Sequence, residues 1–163
     1  MDIIKEKSVC FSGHRIIRKK DAENLQVYLD RAVNAYVRRG FDTFICGGAM
    51  GFDTVAAEAV LRKREDFPEV KLVLALPCRD QTSKWKKLDD IVKYKEILGQ
   101  ADEVVYTADF YTSGCMHARN RYMVDSSSVC ICYKYSERGG TAYTVGYAEK
   151  NGLEIINLAR FSG

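Results

Sequence analysis

The chain has 163 residues, a length typical of one domain, so we expect residues 1–163 to form a single unit. Its composition, 47% hydrophobic and 29% charged, is ordinary for a globular protein with a sizeable core. The formal net charge of +3 is too balanced for a protein that coats DNA, because phosphate contacts need a concentrated basic surface.

In chain order, short apolar runs alternate with segments whose apolar residues recur at helical spacing. The runs predict strands at Lys7–Ser12, Thr43–Cys46, Val70–Leu76, Glu103–Tyr106, Val129–Tyr133 and Leu153–Leu158. The segments between them predict helices from Asp21 to about Gly40, Asp53 to about Arg64, Leu88 to Gly99, Met116 to Asp125 and from after Gly139-Gly140 to about Lys150, with Asp21 and Asp53 as the N-caps of the first two. This alternation predicts an α/β fold, a Rossmann-like three-layer α/β/α sandwich with about six mostly parallel strands.

The sequence gives no sign of a membrane segment, a secretory signal or a disulfide framework. Charges interrupt the apolar stretches at the N-terminus, and no run approaches the roughly 18 apolar residues of a membrane span. Six cysteines are too sparse for a disulfide scaffold, so we expect reduced thiols and a cytoplasmic protein that does not contact membranes. Cys115 and His117 have no second pair at zinc-site spacing, so no metal is expected.

Two glycine-containing turns follow the first two predicted strands, at the sheet edge where such folds bind ligands. The first is Ser12-Gly13-His14-Arg15, whose arginine is suited to a phosphate or carboxylate. The second is Gly47-Gly48-Ala49-Met50-Gly51-Phe52-Asp53, which is neither a dinucleotide GxGxxG nor a P-loop. We favour a phosphate or ribose site here. In the alternative, the glycines only turn the chain and Asp53 only caps the helix.

A third turn, Gly139-Gly140-Thr141, also joins a strand to a helix, and Thr141 could cap that helix or donate to a phosphate. If both Gly-Gly turns face one sheet edge, they form a two-sided anion cradle. The helix before the fifth strand carries His117, Arg119 and Asn120, and at least one of its basic groups is expected to face the cleft. A structural role for the histidine is the alternative.

Together these motifs resemble the bacterial YpsA-like family of the SLOG superfamily. The resemblance covers the whole chain and includes the segment LPCRDQTSKW after the third strand, MHARNRYM and the GGT turn. It implies a Rossmann-like fold that binds a nucleotide or nucleotide-derived ligand, with the glycine turns as the ligand cradle. Gln81 and Trp85 match the Q…W pattern of the family, so the indole could stack on a base or cover the core.

Two other branches of the superfamily suggest alternatives. LOG proteins cleave the N-glycosidic bond of nucleoside monophosphates, and Arg119 matches their M-H-E-R-K segment. However, the LOG glutamate after the GGxGT turn is absent here, so Asp53 or Glu58 would have to replace it. DprA proteins bind single-stranded DNA, but basic residues such as Lys84 and Lys86 are offset by nearby acids, so nucleic acid is not the expected partner.

The sequence therefore favours a sensor or regulator whose partner is a small nucleotide ligand. The phosphates would lie over the two glycine turns beside Arg15 and Arg119, and the base or ribose towards Asp53, Gln81 and Trp85. The N-glycosidic hydrolase and the single-stranded DNA adaptor remain alternatives, no bound cofactor is certain, and a homo-oligomer or protein partner is left open.

Overall fold

The computed structural model describes residues 2–161, and within them six strands and five α-helices alternate along the chain. The strands are β1 Ser8–Gly13, β2 Thr43–Cys46, β3 Lys71–Leu76, β4 Glu103–Tyr106, β5 Val129–Tyr133 and β6 Glu154–Asn157. The helices are α1 Ala22–Arg38, α2 Phe52–Asp66, α3 Leu88–Gln100, α4 Cys115–Asp125 and α5 Gly140–Lys150. Every predicted element is present, with ends displaced by at most two residues.

The strands form one parallel sheet in the order β4-β3-β2-β1-β5-β6. The chain runs outward from β1 to β4 and then returns to the other side of β1 with β5. The direction of winding therefore reverses between β1 and β5, which is where open α/β sheets bind ligands. The predicted Rossmann-like α/β/α fold is confirmed.

Helices cover both faces of this sheet. Successive residues of a strand point to opposite faces, so each strand packs against both helix layers. Val9 and Phe11 face the layer of α1, α2 and α3, whereas Cys10 between them faces α4 and α5. All six cysteines are buried and unpaired, and they serve as small apolar residues of the core. None of the helices within residues 2–161 is long and apolar enough to cross a membrane.

The helix starts differ from the predicted caps. Gly51 occupies the N-cap position of α2, so Asp53 is the second residue of the helix rather than its cap. Asp21 precedes α1 but makes no capping bond, because its buried carboxylate instead accepts hydrogen bonds from Arg18 Nε and the Tyr133 hydroxyl. The prediction that Asp53 caps α2 is therefore wrong, whereas Asp21 occupies the predicted N-cap position of α1 without a capping bond from its side chain. The acids hold neighbouring segments together instead.

Candidate functional site

A cavity of about 390 Å³ opens at the carboxyl end of β1, between the turns that follow β2 and β5 and the first half of α4. We call it the main cavity. It lies at the reversal of winding, and its volume is within the range of about 300–1,000 Å³ typical of small-molecule sites. Ten of the predicted site residues line it: Ser12, Gly13, His14, Arg15, Ala49, Asp53, Arg119, Asn120, Gly140 and Thr141.

Arg119 is the most buried cation at the main cavity, with 4% of its surface exposed. Its guanidinium donates to the carbonyl oxygens of Gly47 and Ala75, and its Nε donates to Asn120 Oδ1 at 2.7 Å. Burial lowers the pKa of this guanidinium, while the nearby carboxylate of Asp53 opposes that effect. Arg119 is thus fixed by the protein, and only its NH2 nitrogen, 3.9 Å from the weak acceptor Met116 Sδ, lacks a strong acceptor.

Asp53 places a carboxylate at the main cavity with only 7% of its surface exposed. The carboxylate accepts one hydrogen bond, from the backbone N–H of Ala49 at 3.2 Å. Burial raises the pKa of Asp53 to about 6, against the opposing effects of Arg119, the Ala49 N–H and Arg15. This acid can therefore be found in either protonation state close to neutral pH.

Gly47 explains how Asp53 and Arg119 lie close together without bonding to each other. A Cβ atom at Gly47 would lie 2.7 Å from an Arg119 nitrogen and 2.9 Å from Asp53 Oδ2. The two side chains thus occupy the space on either side of this glycine. They form no ion pair, and each makes its hydrogen bonds with backbone or amide groups instead.

The other glycines near β1 also make room for protein atoms. A Cβ at Gly13 would lie 2.4 Å from the Phe52 ring, and one at Gly51 would lie 2.1 Å from the Arg15 carbonyl oxygen. These contacts let the turn after β1 pack across the turn after β2, where the Phe52 N–H donates to the His14 carbonyl at 3.2 Å. At Gly13 and Gly51, the close approach is therefore between the turn after β1 and the turn after β2.

The turn before α5 is different, because Gly139 and Gly140 have open space where a Cβ would lie. Gly139 occupies the N-cap position and no side chain caps the helix. The first N–H groups of α5 therefore lack an intrahelical partner and a side-chain acceptor, and they carry the positive end of the helix dipole. Since Gly140 and Thr141 line the main cavity, these donors are available to an anion there.

His14 forms a neutral wall of the cavity. Its Nε2 accepts the backbone N–H of Tyr135 at 3.2 Å, and the two rings lie 4.1 Å apart. Burial, with a smaller contribution from the charge of Arg18, lowers the pKa of His14. The positive charge of this turn at the cavity therefore comes from the exposed guanidinium of Arg15 beside it.

A second cavity of about 440 Å³ adjoins the main cavity at Arg15 and Met116, which line both. It holds Gln81 and Trp85, the remaining predicted residues outside the glycine turns, together with Met50 of the turn after β2. Trp85 packs edge-on against Tyr94 at 5.3 Å. The amide oxygen and nitrogen of Gln81 are buried and have no hydrogen-bond partner, an arrangement that proteins rarely tolerate without a functional reason.

The structure separates one catalytic candidate from the rest. Glu58 lies on α2 beside a shallow depression with Arg62 and Glu65, not at the main cavity. Conversely, Phe11 lines the main cavity and Tyr111 lines the second, although no motif marked them. Tyr111 could have been found from topology alone, since its loop follows β4 at the same edge of the sheet. No three His, Cys, Asp or Glu side chains within residues 2–161 are placed to hold a metal ion.

Comparison with known proteins agrees with the motifs. The sequence profile of YpsA, described as the YspA SLOG family, matches residues 14–156. The chain belongs to this family. The YpsA match includes both Gly-Gly turns and the segment of Gln81 and Trp85, so it covers the second cavity and all of the main cavity except Phe11, Ser12 and Gly13.

Bacillus proteins are among the relatives of this YpsA family member. The SPbeta prophage-derived protein YoqJ of Bacillus subtilis strain 168 is 29% identical over 122 residues, which are 68% of this chain and 71% of YoqJ. A UPF0398 protein of Bacillus thuringiensis strain Al Hakam is 29% identical over 138 residues, 83% of this chain and 74% of the relative.

Solved structures with the same fold include DNA processing protein A, DprA. The Streptococcus pneumoniae protein superposes with a TM-score of 0.63 at 16% identity, covering 93% of this chain but 49% of DprA. The Helicobacter pylori protein, described by its single-stranded DNA binding mode, superposes with a TM-score of 0.65 at 21% identity. The match covers 93% of this chain and 64% of the Helicobacter protein. The YpsA chain thus spans about half to two thirds of these proteins, and at such identities the likeness establishes the fold alone.

Proposed function

We propose that this chain is a cytoplasmic sensor or regulator that binds a nucleotide or nucleotide-derived ligand, such as a nucleoside phosphate, ADP-ribose or an NAD-like molecule. The main support is the uncapped N-terminus of α5, which opens through Gly140 and Thr141 onto the cavity that also holds Arg15 and Asp53. Backbone donors at a helix start and an exposed guanidinium are groups that bind phosphate.

The remaining parts of the ligand follow from the position of the second cavity. A base extending past Arg15 and Met116 would reach Trp85, whose indole offers a stacking surface, and Gln81, whose amide lacks partners. The role expected of Arg119 changes accordingly. Because its NH1 and Nε donate to protein acceptors, it supports the β2 turn and offers at most its remaining nitrogen to a ligand.

Calorimetric titration with nucleoside mono- and diphosphates, ADP-ribose and NAD tests this proposal, with the matching nucleosides as phosphate-free controls. We expect the Gly140→Asp variant to fold normally, because an acid in the first turn suits the helix dipole, but to lose at least tenfold in affinity by repelling the phosphate. Arg15→Ala should also weaken binding, whereas Arg38→Ala, an exposed arginine at the far end of α1, should not. The absence of binding across the panel, or an unchanged affinity of Gly140→Asp, would contradict the proposal.

A second candidate function is hydrolysis of the N-glycosidic bond, and Asp53 is the observation that favours it. A cavity carboxyl group whose pKa is about 6 can exchange protons near neutral pH, as the addition of water to ribose and the departure of a protonated base require. Chromatography of nucleoside monophosphates incubated with the protein would detect the free base. Release that disappears in Asp53→Asn would establish the activity, and no release above background would exclude it.

Single-stranded DNA is the third candidate, because Phe110 and Tyr111 are 75% and 63% exposed and the Lys84 ammonium lies 5.8 Å from the Tyr111 ring centroid. An oligothymidylate titration at two salt concentrations separates this possibility from nucleotide binding. A steep loss of affinity with salt would favour the DNA adaptor.

A further inference from the structure

Asp53 has acceptor capacity that the protein leaves unused. An ionised carboxylate can accept about four hydrogen bonds, but that of Asp53 accepts one, from Ala49. The nearest cation does not fill the remaining capacity, since Arg119 donates to carbonyl and amide oxygens across Gly47. Burying 93% of an ionised carboxylate costs free energy unless further donors bond to it. We therefore expect a ligand in the main cavity to supply donors to its exposed edge.

The topology separates this carboxylate from the anion-binding turn. Asp53 follows β2 and Gly140 follows β5, and these strands lie on opposite sides of β1. Adjacent strands are about 4.8 Å apart, so the two turns are separated by about 10 Å across the end of β1. The cavity therefore has unpaired backbone donors at its α5 side and a carboxylate acceptor at its Asp53 side.

This separation determines which part of a nucleotide can lie at each side. An ionised phosphate has no hydrogen to donate to the Asp53 carboxylate, whereas a sugar hydroxyl there would donate to it. The backbone of Gly48 and Ala49 lies between Asp53 and the Gln81 amide, whose oxygen is 3.7 Å from where a Gly48 Cβ would be. The order phosphate, sugar, base thus corresponds to α5, Asp53 and the second cavity.

We propose that Asp53 accepts hydrogen bonds from the ribose hydroxyl groups of the ligand and thereby selects ribonucleotides over 2′-deoxyribonucleotides. This inference rests on the proposed function and adds the sugar class to it. A hydrogen bond from a neutral hydroxyl to a buried carboxylate is among the stronger ones, and the deoxy analogue leaves the carboxylate unpaired.

Matched ligand pairs test the inference. Dissociation constants are measured by calorimetry for AMP, GMP, CMP and UMP and for their 2′-deoxy counterparts. We expect the wild-type protein to bind the ribonucleotide at least tenfold more tightly in each pair that binds. Asp53→Asn, which keeps an oxygen for the Ala49 N–H, should reduce this preference to less than threefold. Asp66→Asn, an exposed acid at the end of the same helix, should preserve it.

A measurement on the wild-type protein keeps the test decisive if Asp53→Asn fails to fold. The ratio of the deoxyribonucleotide dissociation constant to the ribonucleotide dissociation constant should fall as the pH is lowered from 7 to 5. The reason is that protonated Asp53 accepts a hydrogen bond from the ribose hydroxyl less well. Arg119 and Arg15, which face Asp53, stay charged throughout, and protonation of His14 or of the phosphate affects both members of a pair equally.

Several results would overturn the inference. Equal affinity for both members of every pair in the wild-type protein would exclude ribose selection while leaving nucleotide binding established. A preference that persists in a folded Asp53→Asn variant, or a ratio that does not change with pH, would assign the selection to another residue. Failure to bind any member of the panel would remove the proposed function together with the inference.

Discussion

The two Gly-Gly turns look alike in the sequence but differ in what surrounds them. At the turn after β2, the space beside Gly47 and Gly51 contains the side chains of Arg119 and Asp53 and the backbone of Arg15. At the turn before α5, the space beside Gly139 and Gly140 is open. A glycine motif at a strand end can thus serve internal packing or an external ligand, and the two purposes predict opposite effects of adding a methyl group.

The largest effect is expected for Gly51→Ala. Its Cβ would lie 2.1 Å from the Arg15 carbonyl oxygen, and its φ of +74° is rarely adopted by residues other than glycine. Because both obstacles are backbone, the variant should lose about 4 kcal/mol or more of unfolding free energy. Urea denaturation followed by circular dichroism measures this loss. A loss below about 1 kcal/mol would show that the two turns do not pack as described.

An intermediate effect is expected from the pH dependence of stability that Asp53 imposes. Its pKa rises from 3.8 to about 6 on folding, so the folded state binds a proton more tightly than the unfolded state. Stability from this group is therefore fully present below pH 3.8 and is lost as the pH rises through 6. The shift corresponds to about 3 kcal/mol, at about 1.4 kcal/mol per unit.

The difference in unfolding free energy between Asp53→Asn and the wild-type protein isolates this contribution from the other titrating groups. Between pH 4 and pH 7 this difference should change in favour of the variant by about 2 kcal/mol, because part of the full contribution is already lost at pH 4. Asp66→Asn, which changes an exposed acid on the same helix, should show no such trend. A flat difference for Asp53→Asn would mean that the carboxyl group is not desolvated by the packing around Gly47.

The smallest effect, with the opposite sign, is expected for Gly140→Ala. This glycine begins α5 with open space around it and without a positive φ, so alanine should stabilise the helix by up to about 1 kcal/mol. The same denaturation experiment measures the gain. A marked loss of stability would show that this turn is packed like the one after β2, which would remove the contrast between them.

The sequence predicted the fold closely because its strands are short apolar runs and its helices have regular apolar spacing. All six strands and five helices were placed within two residues of their bounds. The sequence was less informative about the helix starts. Capping preferences favour Asp53 and Asp21, but the carboxylates bond elsewhere: Asp53 to the preceding turn at Ala49, and Asp21 to Arg18 and the distant Tyr133.

The candidate site was predictable in its location but not in the tasks of its residues. Parallel strands bring their carboxyl ends to one edge, so the residues after β1, β2 and β5 had to lie close together. Whether Arg119 faces a ligand or the backbone depends on which carbonyl groups lie within its reach. The packing of α4 against the sheet sets that reach. As a result, NH1 of Arg119 donates to the carbonyl oxygens of Gly47 and Ala75, and Nε donates to Asn120.

The sequence alone determined that this chain forms a parallel α/β sheet with glycine turns at one edge, since hydrophobic periodicity and turn chemistry are local properties. The tertiary structure alone decided which turn is filled and which is open. Local sequence does not encode this difference, because the space beside a glycine is occupied by residues distant in the chain. Arg119 lies beside Gly47 and Arg15 beside Gly51, but none of the residues that the structure describes fills the space beside Gly140.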